Sequence, residues 1–156
     1  MQHLASSQHL TIPKVAQSSS YDEGSKSGYL HILSGLTFEQ INDSRATGSL
    51  VSDIAKETGL SSQDLANVLE IGKSKYYDLV KVSQLDQKYL DALADFSTLW
   101  VKGLEAFDND QQSLLDFLKT KNENLGGIKP IYLLSSRMGR RELELAFQRI
   151  EYSLYG

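Results

Sequence analysis

The 156-residue chain contains no cysteine, two prolines, one tryptophan and three histidines. Without cysteine there is no disulfide framework, no thiolate zinc site and no thiol nucleophile. His3, His9 and His31 all fall in the first fifth of the chain, which leaves little for metal or triad chemistry. No run approaches the roughly 20 apolar residues needed to span a bilayer. Residues 1–20 also lack the basic start and apolar stretch of a signal peptide. The expectation is a cytoplasmic protein with no membrane contact.

An excess of positive charge is missing too. The net charge is −4, and it divides evenly: residues 1–85 hold 7 cations and 9 acids, and residues 86–156 hold 9 and 11. Neither half is a basic nucleic-acid module, so any DNA contact has to come from a local cationic patch. Carboxylates such as Asp108 and Asp110 sit in a hydrophilic connection, with no arrangement of base, nucleophile and orienter. The chain is therefore expected not to be an enzyme, with no catalytic residue, no cofactor and no metal site.

What the chain does have is helical periodicity. Residues 1–34 read as a serine-rich arm and linker, with seven serines, three glutamines and two glycines in residues 1–28. Residues 8–12, ahead of Pro13, carry an edge-strand pattern, and residues 21–27 read as linker. From Tyr29 the pattern turns helical, and no strand signal is expected beyond residue 30. Thr37 caps a helix reaching Arg45 and ended by Gly48. Ser49 or Ser52 caps the next, which carries Leu50, Val51, Ile54 and Ala55. Ser61 with Asp64 makes a capping box, and Gly72 is an N-cap. A long helix follows with Leu90, Leu93, Ala94, Phe96, Leu99, Trp100, Leu104 and Phe107 on one broad face. Residues 111–118 form a short helix and 119–129 a loop. Pro130 starts a helix that Gly139 breaks. The last helix turns Leu143, Ala146, Phe147, Ile150 and Leu154 to one side. The fold class is all-α.

Two overlapping windows satisfy much of the helix-turn-helix spacing. The first uses Ile54, Ala55, Gly59, Leu60, Leu65 and Val68, and has the turn glycine. Its reading helix offers Gln63, Asp64 and Asn67 but no cation. The second uses Leu65, Ala66, Leu69, Ile71, Tyr76 and Leu79, with Glu70 where the glycine is expected. Its reading helix carries Lys73, Ser74, Lys75 and Tyr77, residue types suited to phosphates and base edges. Phosphate neutralisation supplies most affinity and needs cations, so the second window is preferred, although Glu70 and Asp78 oppose it.

The most distinctive series lies further on: Leu118, Thr120 and Asn122, then Leu125-Gly126-Gly127, Pro130, Leu133-Leu134, Gly139, and Arg149-Ile150-Glu151 with Tyr155. This series resembles the toxin-binding domain of the antitoxin family named for Xre, MbcA and ParS. Upstream, Arg45 and Gly48, Gly59-Leu60-Ser61 with Leu65-Ala66, and Phe107 are similar to the same family, so the resemblance covers about residues 35–156. Phe117 replaces the family tryptophan, Lys121 its proline and Ser153 a glycine. Lys73-Ser74-Lys75 stands where the family carries arginines, and it lacks the bidentate fork that reads guanine.

The resemblance implies an Xre-like helix-turn-helix bundle with dimerisation in residues 35–106 and a small helical toxin-binding domain in residues 107–156. It implies a type II antitoxin that covers the active site of a cognate RES-domain toxin, an NAD-consuming or ADP-ribosylating enzyme. The protein would form a homodimer and repress its own operon by binding operator DNA. No cofactor is implied. The last turns supply aromatic and arginine anchors suited to an interface, so Arg149, Glu151, Tyr152, Leu154 and Tyr155 are the expected toxin contacts, with DNA contacts at Lys73, Ser74, Lys75 and Tyr77. Arg137, Arg140 and Arg141 read either as a solvated face or as a contact for acidic surface or phosphate. The competing reading is a stand-alone helix-turn-helix regulator with no toxin.

Overall fold

The computed structural model describes residues 10–12 and 28–155, without the side chains of residues 154 and 155. The linker expected at residues 21–27, and the rest of the arm before residue 28 apart from 10–12, lie outside the described residues. The described chain is all-α, with eight α-helices, two short 3-10 helices and one small strand pair.

Local chemistry explains most of the helix starts. Helix α1 (Tyr29–Ser34) lies within the segment expected to be an arm, with Leu30 and Leu33 buried. The carboxylate of Glu57 accepts from the Tyr29 N–H at 3.0 Å, which satisfies the start of the helix. Helix α2 (Phe38–Asp43) begins with a capping box in which Thr37 accepts from the Gln40 N–H. It stops two residues earlier than the pattern suggests, because Arg45–Ala46 forms a strand, β2. That strand pairs antiparallel with β1 (Leu10–Thr11), Leu10 opposite Ala46 and Thr11 opposite Arg45. The edge-strand pattern near residue 10 thus has a partner that residues 45–46 do not announce, since two residues carry no alternation.

Helix α3 (Ser49–Thr58) starts after Gly48 without a side-chain cap; neither Ser49 nor Ser52 serves as the expected one. Helix α4 (Ser62–Val68) has the capping box of Ser61 and Asp64, and α5 (Lys73–Leu79) follows Gly72. The long α6 (Gln87–Ala106) buries Leu90, Leu93, Phe96, Leu99, Trp100 and Leu104. Asp110 caps α7 (Gln111–Lys119), accepting from the Gln112 and Ser113 N–H groups. Pro130 does begin a helix, but a six-residue 3-10 helix, Pro130–Ser135.

Gly139 does not break the chain. It lies inside α8 (Arg137–Tyr155), and a β-carbon there would stand 2.3 Å from the Leu133 carbonyl oxygen. The glycine lets the 3-10 segment and α8 meet at backbone distance.

The buried cluster is continuous from Leu10 to Phe147 and so includes residues on both sides of position 107. Helix α6 is its axis, with α1, α2, α7 and α8 packed on it, and the Pro130–Ser135 segment touches α4, α7 and α8. Trp100 is 3% exposed and tilts against Phe96, with ring centroids 5.8 Å apart. It lines an apolar void with Leu118, Leu134, Leu143 and Phe147. Among the described residues, its Nε1 is the buried side-chain polar atom with no hydrogen-bond partner.

Candidate functional site

Two surfaces carry the residues singled out from the sequence. The first is built by α3, α4 and α5. Each turn between them contains a left-handed residue, Gly59 (φ +80°) and Glu70 (φ +56°), so both helix-turn-helix registers have the backbone their turns require. The registers differ in what the second helix shows to solvent. In α4, Gln63 donates to Asn67 Oδ1 at 3.1 Å, and Asp64 is engaged as the partner in the capping box with Ser61. The Pro130–Ser135 segment also packs against α4. In α5, Tyr76 and Leu79 are buried, while Lys73, Ser74, Lys75 and Tyr77 are exposed. Tyr77 stands edge-on to Tyr76 at 5.8 Å. Burial, and then the neighbouring Tyr77, push the Tyr76 hydroxyl above its usual range. The four residues of the preferred window are therefore together on one outward helix, with the opposing Glu70 and Asp78 exposed beside them.

The second surface is α8. Leu143, Ala146 and Phe147 hold it to the core. Phe147 meets Phe107 edge-on at 6.5 Å and Phe117 at 6.0 Å. Phe117, standing where the family tryptophan is expected, is half-buried against the core. Ile150 is half-buried against the same cluster. Arg149 and Glu151 are exposed, and Tyr152 is 77% exposed. The side chains of Leu154 and Tyr155 lie outside those described.

Most of the distinctive C-terminal series builds structure. Leu118, Pro130 and Leu134 are buried. Asn122 closes its loop three ways: its N–H donates to the Ile128 carbonyl, its carbonyl accepts from Gly127, and its Oδ1 accepts from the Asn124 N–H, each at 2.9 Å. Within that series, Arg149 and Glu151 are the charged residues, and both face solvent.

The three arginines at the start of α8 separate in role. Arg140 donates to the Leu134 carbonyl at 2.9 Å and pairs with Asp95 at 3.4 Å, whereas Arg137 and Arg141 are exposed. With Lys102, which pairs with Glu144, and with Thr98 and Met138, they line a groove of about 560 Å³ between α6 and α8. Sequence reasoning missed this groove because its walls are some 40 residues apart along the chain. It also missed an outward stripe on α8. Met138, Leu145 and Tyr152 are 79%, 46% and 77% exposed, and their spacing of seven was the available signal.

Among the described residues no group of three or more His, Cys, Asp or Glu converges to hold a metal. No helix there is long and apolar enough to cross a membrane. No protein-family model and no curated protein matches the chain.

Proposed function

We propose that this chain is the antitoxin of a type II toxin–antitoxin pair, acting by binding rather than by catalysis. Its C-terminal helix covers the active site of a cognate RES-domain toxin in the cytoplasm. The observation that carries this reading is α8 itself: anchored through Leu143, Ala146 and Phe147, it offers Arg149, Glu151 and Tyr152 to a partner. An exposed arginine and an exposed aromatic are the side chains that dominate protein interfaces, and Glu151 suits a basic phosphate-binding cleft. In this reading Leu154 and Tyr155, whose side chains lie outside those described, belong to the same contact segment.

Co-expression with a RES-domain toxin encoded beside this chain tests it. Growth is rescued and the two proteins co-purify. Arg149→Ala with Tyr152→Ala abolishes rescue, weakening the complex by about 30-fold or more, while the circular dichroism of the chain is unchanged. A toxin that stays lethal beside the wild-type chain overturns the reading.

Autorepression of the operon by a homodimer belongs to the same proposal, with α5 as the reading helix. The exposure of Lys73, Ser74, Lys75 and Tyr77 supports that part, and it also favours the second reading, a regulator without a toxin. Lys75→Glu replaces a phosphate-attracting charge by a repelling one. Operator binding is expected to fall at least tenfold and to depend less on salt, with toxin rescue intact. Unchanged affinity across salt concentrations would remove α5 from the interface.

A further inference from the structure

The outward stripe of α8 points to a second copy of this chain. Met138, Leu145 and Tyr152 recur every seven residues, so they run in line along a helix about 28 Å long. All three are exposed, and they lie on the side of α8 away from Leu143, Ala146 and Phe147. Exposed apolar side chains in a continuous line mark a contact surface more than scattered ones do.

The charges beside the stripe say what covers it. Glu142 and Arg149 flank it on the same side, one above and one below Leu145, and both are exposed. When two identical helices cross antiparallel about Leu145, Met138 of each copy meets Tyr152 of the other. Glu142 of each then faces Arg149 of the other, giving two symmetric ion pairs. A two-fold interface has this property: the same patch is complementary to itself. In the same antiparallel pair, Arg141 and Gln148 come together on the other side of the stripe without like-charge contact. A parallel pairing swaps the flanks, setting Glu142 against Arg141 of the other copy and Arg149 against Gln148, so the partner of Arg149 tells the two pairings apart. Tyr152 of the second copy also arrives at the mouth of the groove that Met138 and Arg141 line with α6.

We propose that α8 is a self-association surface through which two copies pair antiparallel about Leu145. The contact is a single helix pair and belongs at the small end of protein interfaces, so association is weak and concentration-dependent. Under the antitoxin reading, a toxin and a second copy compete for Arg149 and Tyr152. The self-association itself needs no toxin.

Analytical ultracentrifugation of the full chain, alone and over a range of micromolar concentrations, provides the test. The wild-type chain moves from one to two chain masses as concentration rises. Leu145→Asp weakens the dimer at least tenfold, and circular dichroism melting confirms that this exposed change leaves the fold intact. Glu142→Arg alone weakens it several-fold, and Glu142→Arg combined with Arg149→Glu restores it. A chain that stays monomeric throughout overturns the proposal, as does a dimer that survives Leu145→Asp. Failure of the charge exchange to restore association overturns the antiparallel pairing. Because no toxin is present, none of these failures bears on toxin neutralisation. A chain that stays monomeric also removes the homodimer from the repressor reading, whereas a dimer that survives Leu145→Asp keeps that homodimer on another surface and overturns only the α8 pairing.

Discussion

Glu70 holds a left-handed backbone (φ +56°) at the turn between α4 and α5. There a β-carbon crowds the following carbonyl, at a cost of about 1–2 kcal/mol that glycine escapes. Glu70→Gly is therefore expected to stabilise the chain by about 1 kcal/mol, and Glu70→Val to destabilise it, both measured by urea unfolding. The same change removes a carboxylate beside Lys73 and Lys75. Glu57 makes a different case. Burial raises its pKa above the usual carboxylate range, against the lowering effect of the Leu30 and Tyr29 N–H groups. The folded chain thus holds this proton more tightly than the unfolded chain, and Glu57 contributes most to stability at low pH. That contribution declines as pH rises through the folded pKa. Comparison with Glu57→Gln isolates it: the stability of the wild type relative to the variant should fall as pH rises above the ordinary glutamate range. A difference that grows with pH would show the carboxylate favoured in the fold.

At the scale of elements, the ease of reading the sequence tracks how local the cause is. Thr37, Ser61 and Gly72 start helices through their own or adjacent backbone, and all three starts were readable. The two-residue β2 was not, because Arg45–Ala46 owes its form to Leu10–Thr11 more than thirty residues earlier. Gly139 looked like a helix stop, yet its role depends on the Leu133 carbonyl passing 2.3 Å from where a β-carbon would sit. Gly139→Ala adds helix propensity worth about 1 kcal/mol. It also forces apart two backbones with no flexible side chain to yield, so a net loss of about 1–2 kcal/mol is expected in thermal unfolding. Exposure of Lys73, Ser74, Lys75 and Tyr77 followed from helical spacing once Tyr76 and Leu79 faced inward. The groove between α6 and α8 could not be read that way, since its charged walls meet only after both helices have docked. The α8 stripe is a second periodic set on the far side of a helix whose inward set, Leu143, Ala146 and Phe147, dominates the pattern.

At the scale of the molecule, the resemblance divides the chain at residue 107, but the buried cluster crosses that point. Leu115 of α7 lies beside Gly59 at the end of α3, and the Pro130–Ser135 segment rests on α4. The helices on either side of residue 107 thus stand on shared packing. The single tryptophan sits where this matters. Trp100 belongs to α6, yet Leu118, Leu134, Leu143 and Phe147, all from beyond residue 107, surround it with α6's own Phe96 and Leu99. Its indole emission is consequently an intrinsic optical gauge of whether the C-terminal segment is seated. In this dry setting it should emit at short wavelength and shift red when that segment leaves, even while the N-terminal helices persist. Urea unfolding followed by fluorescence and by circular dichroism should give one coincident transition. A red shift that precedes the loss of helix would mean that the segments from α7 onward come away as a unit.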